Sequence, residues 1–545
     1  MKAQGFKGSF RQSMAWFHTW VGLVLSVLLY FIFITGTFGY FNAEVDQWMR
    51  PEQKVVAPEA MPTRQAMAET GFAYLRNAAP DATRYFISFP TDRNPSLYYY
   101  ARLAEVGADG NNYINGYIDP VSGDKVAARE TGGGDALYEM HYRLHYMPAR
   151  LALYIVGIAT MFMFISLISG IVIHKKIFTD FFTLRLRKGQ RSWLDGHNIS
   201  SVLALPFLLM ITYSGLVFYT FDYLPGVAVV SMDISDATTE IREHLAPQFK
   251  PVEASGEQAE MISVRAILDA AFVELPAESV RYVSLENRGD KVAEYHIGQH
   301  SEGLSRGGAL TKFSATTGQL LTDSYPAHAA DVVFARGSLA LHEGRFANIH
   351  LRWLYFLSGL VGAAMVATGM VLWADKRRTR LGKKGVAGSG LKFVERTNLA
   401  IIVGLPLGVA AYFWANRLLP IDLEGRADWE MHCLFLMWAA SLAHASIRDL
   451  ASAWREQVTL LALLFAALPV VNAVTTDVHL LATVRAGDWV RASFDLAALA
   501  FAAAIWLVAR QMSPKVKQAL AGERSDAAPV AGSRAGAPIL QNRAD

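Results

Sequence analysis

The sequence predicts a mainly α integral membrane protein: a helical bundle with two α+β domains inserted between helices, followed by a C-terminal four-helix membrane bundle. Three observations predict it. Hydrophobic residues make up 52% of the 545 residues and charged residues only 18%, so mean hydropathy is positive. Apolar runs at about 15–41, 150–173, 198–221, 350–373, 398–419, 430–447, 457–476 and 490–510 each approach the ~20 residues a helix needs to cross a bilayer. Two long polar stretches, 42–148 and 222–348, interrupt the first four runs, and none of that length interrupts the last four.

The first run is too long for a signal-peptide core, and no small-residue cleavage site follows "TGTFGYF", so it reads as a retained anchor. The resulting map is a first span over 1–41, an insert over 42–148, a second span over 149–174, a basic loop over 175–196 and a third span over 197–221. A second insert (222–348), a fourth span (349–373), a basic loop (374–397), four further spans (398–510) and an Ala/Gly-rich tail of disordered composition (511–545) complete it. The run at 430–447 is short and the last contains Asp495, so these are the weakest spans, and an odd count moves the C-terminus across the membrane.

Charge orients the chain. The loops "HKKIFTDFFTLRLRKGQR" and "DKRRTRLGKK" and the N-terminal Lys2, Lys7 and Arg11 are basic, which places them and both termini in the cytoplasm. Both inserts then face the periplasm of a bacterial inner membrane. The inverted topology requires the basic loops to be translocated. A net charge of +3 is too small to imply a nucleic-acid partner. The single cysteine, Cys433, excludes a disulfide framework, a CxxCH haem attachment and a cysteine-ligated iron–sulfur cluster. A metal site must therefore use His or carboxylates.

In the first insert, "PTRQAMAETGFAYLRN" has helical spacing, and "TRYFISF", "SLYYYARL" and "NNYINGYI" read as strands. The second insert repeats that order with "MISVRAILDAAF", then "SVRYVSLE", "KVAEYHIG" and "ALTKFSA". Gly123 and Gly318 occupy matching turns in "YIDPVSGDKV" and "KFSATTGQLL". The repeat extends to the helices. His18 precedes Gly36 by the same 18 residues that separate His197 from Gly215, and "LHYMPARLALYIVGIATMFMFISLISGIVIH" matches "LHEGRFANIHLRWLYFLSGLVGAAMVATGMVLW". In that match His145 pairs with His342 and Gly170 with Gly369. Residues 1–190 and 191–390 thus read as two copies of a helix–insert–helix unit.

These motifs ("FHTWVGL", "YRLHYMP", "SGIVIHKKIF", "WLDGHN", "LHEGRF" and the TG/SG turns after paired strands) resemble the PepSY-associated transmembrane helix family over roughly residues 10–380. The resemblance implies PepSY-like periplasmic domains. It also implies kinship with di-haem reductases that release iron from ferric siderophores, although other members have no assigned activity. The last four spans are not part of the minimal family pattern.

Of the fourteen histidines, His244, His296, His300 and His328 fall in the inserts and read as surface or core residues. His18, His174 and His197 lie at the cytoplasmic boundary; His141, His145, His342 and His350 lie at the periplasmic one; His432, His444 and His479 belong to the C-terminal spans. A single boundary histidine is satisfied by water or headgroups. Matching positions in two repeats at one depth weaken that account, because ionisable groups near the bilayer are costly and face a bundle interior. Two b-type haems, non-covalent and bis-His, then pair His18 with His197 and His145 with His342. His174 competes for the cytoplasmic site but has no repeat counterpart. A helix from His145 to His174 measures roughly 43 Å, more than the ~30 Å hydrocarbon core, so one haem cannot use both. His141 is four residues from His145, so one of the two can ligate while the other tunes the site or contacts substrate.

No GxGxxG-plus-acid pattern in a βαβ context and no Walker A motif is present, so the electron donor must be external, a quinol or a cytoplasmic reductase. With the resemblance, the sequence reads as a haem-dependent oxidoreductase passing electrons to a ferric siderophore. Two alternatives stand beside it: a membrane anchor regulating a periplasmic protease or sensor, and a quinol-linked cytochrome with another acceptor.

Overall fold

The computed structural model describes residues 9–512, except 54–55, 57, 92, 106–111, 175–178, 180, 183–184, 186–188, 220–251, 301–308, 323–329 and 383–387. His244, His328, part of the basic loop over 175–196 and the tail beyond 512 lie outside the described residues.

Four transmembrane segments form the first bundle: α1 (Phe10–Thr37), α5 (Ala149–Ile173), the consecutive helices α6 (Gln190–Leu203) and α7 (Leu205–Phe218), and α10 (Ile349–Gly382). α1 packs against α5 and α10, α10 against α6, and α5 against α7, which closes a ring. The third span is not one straight helix. α6 and α7 meet at a 65° bend, and Pro206 stands in the first turn of α7. Proline has no N–H to continue the ladder, and its ring clashes with the carbonyl four residues back, so the helix breaks there.

Short helices form a collar above this bundle. α2 (Asn42–Met49) follows α1 through a 3₁₀ turn, α4 (Gly133–Arg143) precedes α5, and α9 (Ala330–Glu343) precedes α10. Beyond them, the inserts build one sheet where two separate domains were expected. The first insert supplies α3 (Arg64–Ala78), β1 (Arg84–Ser88), β2 (Leu97–Arg102) and β3 (Tyr113–Ile118). The second supplies α8 (Val264–Ala271), β4 (Val280–Glu286), β5 (Glu294–Gln299), β6 (Leu310–Ser314) and β7 (Leu320–Thr322). The antiparallel order β3-β2-β1-β4-β5-β6-β7 joins the inserts at the β1–β4 seam, where Tyr85 faces Leu285 and Ile87 faces Val283. Each half alone leaves an unpaired, apolar edge strand, and pairing the two edges removes that exposure. α3 and α8 cover one face. Gly71 of α3 lets that helix approach closely, since a Cβ there would fall 2.4 Å from Ile87 Cδ1. The turn glycines Gly123 and Gly318 both have positive φ, 77° and 73°, as their matching places in the two inserts imply.

The C-terminal bundle comprises α11 (Ser389–Ile402), α12 (Gly404–Leu418), α13 (Arg426–Ile447), α14 (Leu450–Thr475), the short α15 (Leu480–Ala486) and α16 (Trp489–Gln511). Among the described residues, six helical stretches are long and apolar enough to cross a membrane, and the bent pair makes a seventh. The expected span at 430–447 is not among them. α13 has 22 residues, but Arg426, Asp428, Glu430, His432 and His444 lower its hydropathy. It nonetheless runs the depth of the bundle. Arg426 Nη1 donates to Glu130 O (2.8 Å) at the insert face, and His444 Nε2 pairs with Glu456 (2.9 Å) at the opposite end.

Candidate functional site

Two histidine pairs sit at the two ends of the first bundle. At the basic-loop end, His18 of α1 lies against Gly170 of α5, where a Cβ would fall 3.4 Å from its Cε1. His18 Nδ1 is 3.0 Å from both Ser166 O and Ser169 Oγ. His197 of α6 is placed the same way: Nδ1 is 2.8 Å from Met365 O of α10, and a Cβ on Gly369 would fall 3.2 Å from Cε1. A carbonyl oxygen only accepts, so in both rings Nδ1 carries the proton and Nε2 keeps its lone pair. The ring centres are 6.4 Å apart with planes at 73°. A cavity of about 660 Å³ surrounds them, and His174, Asn198, Trp373, Phe393 and Thr397 also line it.

At the insert end the pair is His141 and His342, with ring centres again 6.4 Å apart and planes at 20°. Each occupies the last turn of a collar helix, α4 or α9. His342 Nδ1 is 3.0 Å from Ile211 O and 3.2 Å from Ser214 Oγ, and His141 Nδ1 donates to Tyr138 O. The backing glycines are Gly36, whose Cβ would fall 3.3 Å from His141 Cγ, and Gly215, whose Cβ would fall 3.1 Å from His342 Cε1. Burial lowers the pKa of both, and with the neighbouring His141 it brings His342 to about 3, so both rings are neutral at physiological pH. This cavity is about 600 Å³.

The structure therefore brings His18 to His197, as the repeat implied, but does not bring His145 to His342. Leu144 and Tyr146 have φ of +46° and +68°, which turns the chain out of α4. His145 lies past the helix end, its ring 5.6 Å from Phe435 and 4.2 Å from Tyr146. His141, four residues earlier on the helix, takes the facing place. His174 lines the first cavity, where its Nε2 accepts from Asn198 Nδ2 at 3.1 Å. The glycine pairs Gly36/Gly215 and Gly170/Gly369 hold the signal that finds His141, because each glycine backs one of the four paired rings.

These pairs fit a haem iron. One iron ligated by two imidazoles through Nε2, at ~2.0 Å each and with the ring centre ~1.1 Å behind the nitrogen, separates the ring centres by roughly 6.3 Å. Both cavities are of cofactor size. The insert-end cavity also has groups suited to a porphyrin carboxylate. Arg93 and Arg352 both pair with the single carboxylate of Glu44, leaving net positive charge, and the buried Arg352 Nε has no acceptor. Among the described residues, no three His, Cys, Asp or Glu side chains gather as ligands for a bare metal ion.

A family model, the PepSY-associated TM region, matches residues 15–376. The chain belongs to this family, and the matched region contains all four paired histidines and the whole sheet. The C-terminal bundle lies beyond it. No curated protein matches the chain.

Proposed function

We propose that this is an inner-membrane electron-transfer protein that holds two b-type haems and reduces ferric siderophores in the periplasm. His18 and His197 hold one haem near the cytoplasmic basic loops, and His141 and His342 hold the other near the sheet. The observation that carries the reading is the same 6.4 Å ring separation at both ends of one bundle. A haem with two imidazole ligands supplies reversible one-electron transfer with no open coordination position.

The chain's own residues do the remaining work. The backbone carbonyls of Ser166, Met365, Tyr138 and Ile211 each accept a hydrogen bond from the Nδ1–H of one ring, which fixes its tautomer and orientation. The glycines leave flat helix faces beside the rings. Burial excludes water and keeps the insert-end imidazoles unprotonated. The siderophore as acceptor follows from family kinship. Hard oxygen donors hold iron(III) far more tightly than iron(II), so accepting one electron releases the metal.

The test is a reduced-minus-oxidised spectrum with haem quantification. Two haems per chain are expected, falling to one in His197→Ala or His342→Ala and unchanged in His300→Ala. Dithionite-reduced protein is expected to reoxidise on adding a ferric siderophore and to pass iron(II) to a ferrous chelator. Two haems with no reoxidation by a panel of siderophores would leave a cytochrome with another acceptor. Protein without haem would leave the regulatory anchor.

A further inference from the structure

We propose that the basic-loop cavity is also where the electron donor is oxidised, and that this donor is a membrane quinol held by His174 and Asn198. The inference rests on the di-haem reading and names its electron source. The cavity reaches past the His18–His197 pair to a second set of groups from four different elements. His174 closes α5, Asn198 lies on α6, Trp373 on α10, and Phe393 and Thr397 on α11. α11 belongs to the C-terminal bundle, outside the matched family region. None of these groups is needed to orient His18 or His197, whose Nδ1 atoms are held by Ser166 and Met365.

Their chemistry suits an amphipathic, two-proton donor. Phe393 is 70% exposed beside the cavity and Trp373 shares its wall, so a flat apolar ring can enter from the bilayer. Inside, the His174–Asn198 pair, with Nε2 accepting from Nδ2 at 3.1 Å, offers a hydrogen-bonding imidazole and amide to a ring hydroxyl, and Thr397 adds a hydroxyl. The chain has no nucleotide-binding motif, and a soluble donor gains nothing from an apolar pocket between transmembrane helices. The reaction balances as one quinol and two ferric chelates giving one quinone, two protons and two ferrous chelates. The O–H bonds of the quinol break, the protons leave through His174 to the basic-loop face, and a haem held by His18 and His197 would accept the electrons one at a time.

The test uses detergent-purified holoprotein with decylubiquinol as reductant. Stopped-flow absorbance is expected to show haem reduction, slowed by about 100-fold in His174→Ala, the low end of what a positioned proton acceptor contributes. Asn198→Leu and Phe393→Ala are expected to raise the half-saturating quinol concentration. Fluorescence quenching of a hydroxyquinoline N-oxide quinone analogue measures binding without turnover, and the Asn198→Leu variant is expected to weaken it. Haem content and dithionite reduction are expected to be the same in His174→Ala and the parent. A loss of haem in His174→Ala overturns the proposal by making His174 a ligand. Haem reduced equally fast by quinol in parent and variant also overturns it. So does haem reduced by dihydroflavin but not by quinol, which places the donor in a soluble reductase. Absence of haem from the parent sinks the di-haem reading instead, and the spectrum distinguishes that outcome before any quinol is added.

Discussion

At the scale of single residues, the arrangement depends on four glycines as much as on four histidines. A Cβ at Gly215 would stand 3.1 Å from His342 Cε1, tighter than ordinary packing, so a larger side chain must drive the imidazole out of line. Gly215→Leu is expected to lose the insert-end haem and keep the other, while Gly390→Ala, with nothing within 4 Å, keeps both; a pyridine haemochrome assay counts them. The insert-end pair also carries a pH dependence. Its folded pKa values lie below 6.5, with His342 at about 3, so the unfolded chain binds more protons across that interval. Stability from burying these rings neutral is complete above pH ~6.5 and falls as pH drops towards 3. The melting temperature in detergent is expected to fall from pH 7 to 5 while the insert-end haem stays bound, and loss of that haem within this interval would show that the rings are not buried in solution. The sequence made the His18–His197 partnership legible because both the spacing to the next glycine and the neighbouring motifs repeat. It left His141 as the alternative to His145 and paired His145 with His342, because their shared "LH" outweighs a helix end that only backbone φ values reveal. Side-chain direction at the end of α4 depends on Leu144 adopting a left-handed conformation, which no residue type there announces.

At the scale of elements, the C-terminal bundle steadies the helix that carries His141. The segment leading into α4 is fastened to α12 and α13. Tyr412 OH donates to Gly133 O (2.8 Å), Arg129 Nη1 to Asn416 O (2.7 Å) and Asn416 Nδ2 to Glu430 Oε1 (2.8 Å), while Thr131 also bonds Glu430. Arg426 and Glu430 are fully buried and paired at 2.5 Å. Removing one partner of such a pair strands the other charge, a loss of about 3–5 kcal/mol, whereas replacing both with apolar residues costs far less. Glu430→Ala is therefore expected to lower the melting temperature in detergent and to loosen the insert-end haem first. Arg426→Met with Glu430→Leu is expected to recover much of the loss. Equal effects of the single and double changes would mean that the pair does not act as a unit. Sequence hydropathy found these helices but not this role, since Arg426 precedes the apolar run at 430–447 and Glu430 opens it. Their partners lie about 300 residues away in the chain, beyond any local pattern.

At the scale of the whole molecule, the two repeats are interdigitated rather than juxtaposed. Each histidine pair takes one ring from each repeat, and the sheet takes strands from both inserts across the β1–β4 seam. The strands were legible from alternating aromatics and β-branched residues. Their assembly into one sheet was not, because edge pairing between segments almost 200 residues apart leaves no local signature. Interdigitation predicts that neither half is stable alone. Ile87→Pro removes an N–H donor from a strand paired on both sides, and it is expected to unfold the sheet of both inserts together. Limited proteolysis that leaves the second insert intact in that variant would show two independent domains. The membrane orientation is tested at the same scale. α13 runs between the insert face and the opposite end, so a span there would make an eighth traverse and put both termini on one side. Alkaline phosphatase fused after Gly123 or Gly318 is expected to be active and fused after Gly189 inactive, because the basic loops resist translocation. A fusion after Arg448, in the connection between α13 and α14, decides the parity. Inactivity there means that α13 crosses back and the C-terminus is cytoplasmic, whereas activity means that the apolar-poor α13 does not span.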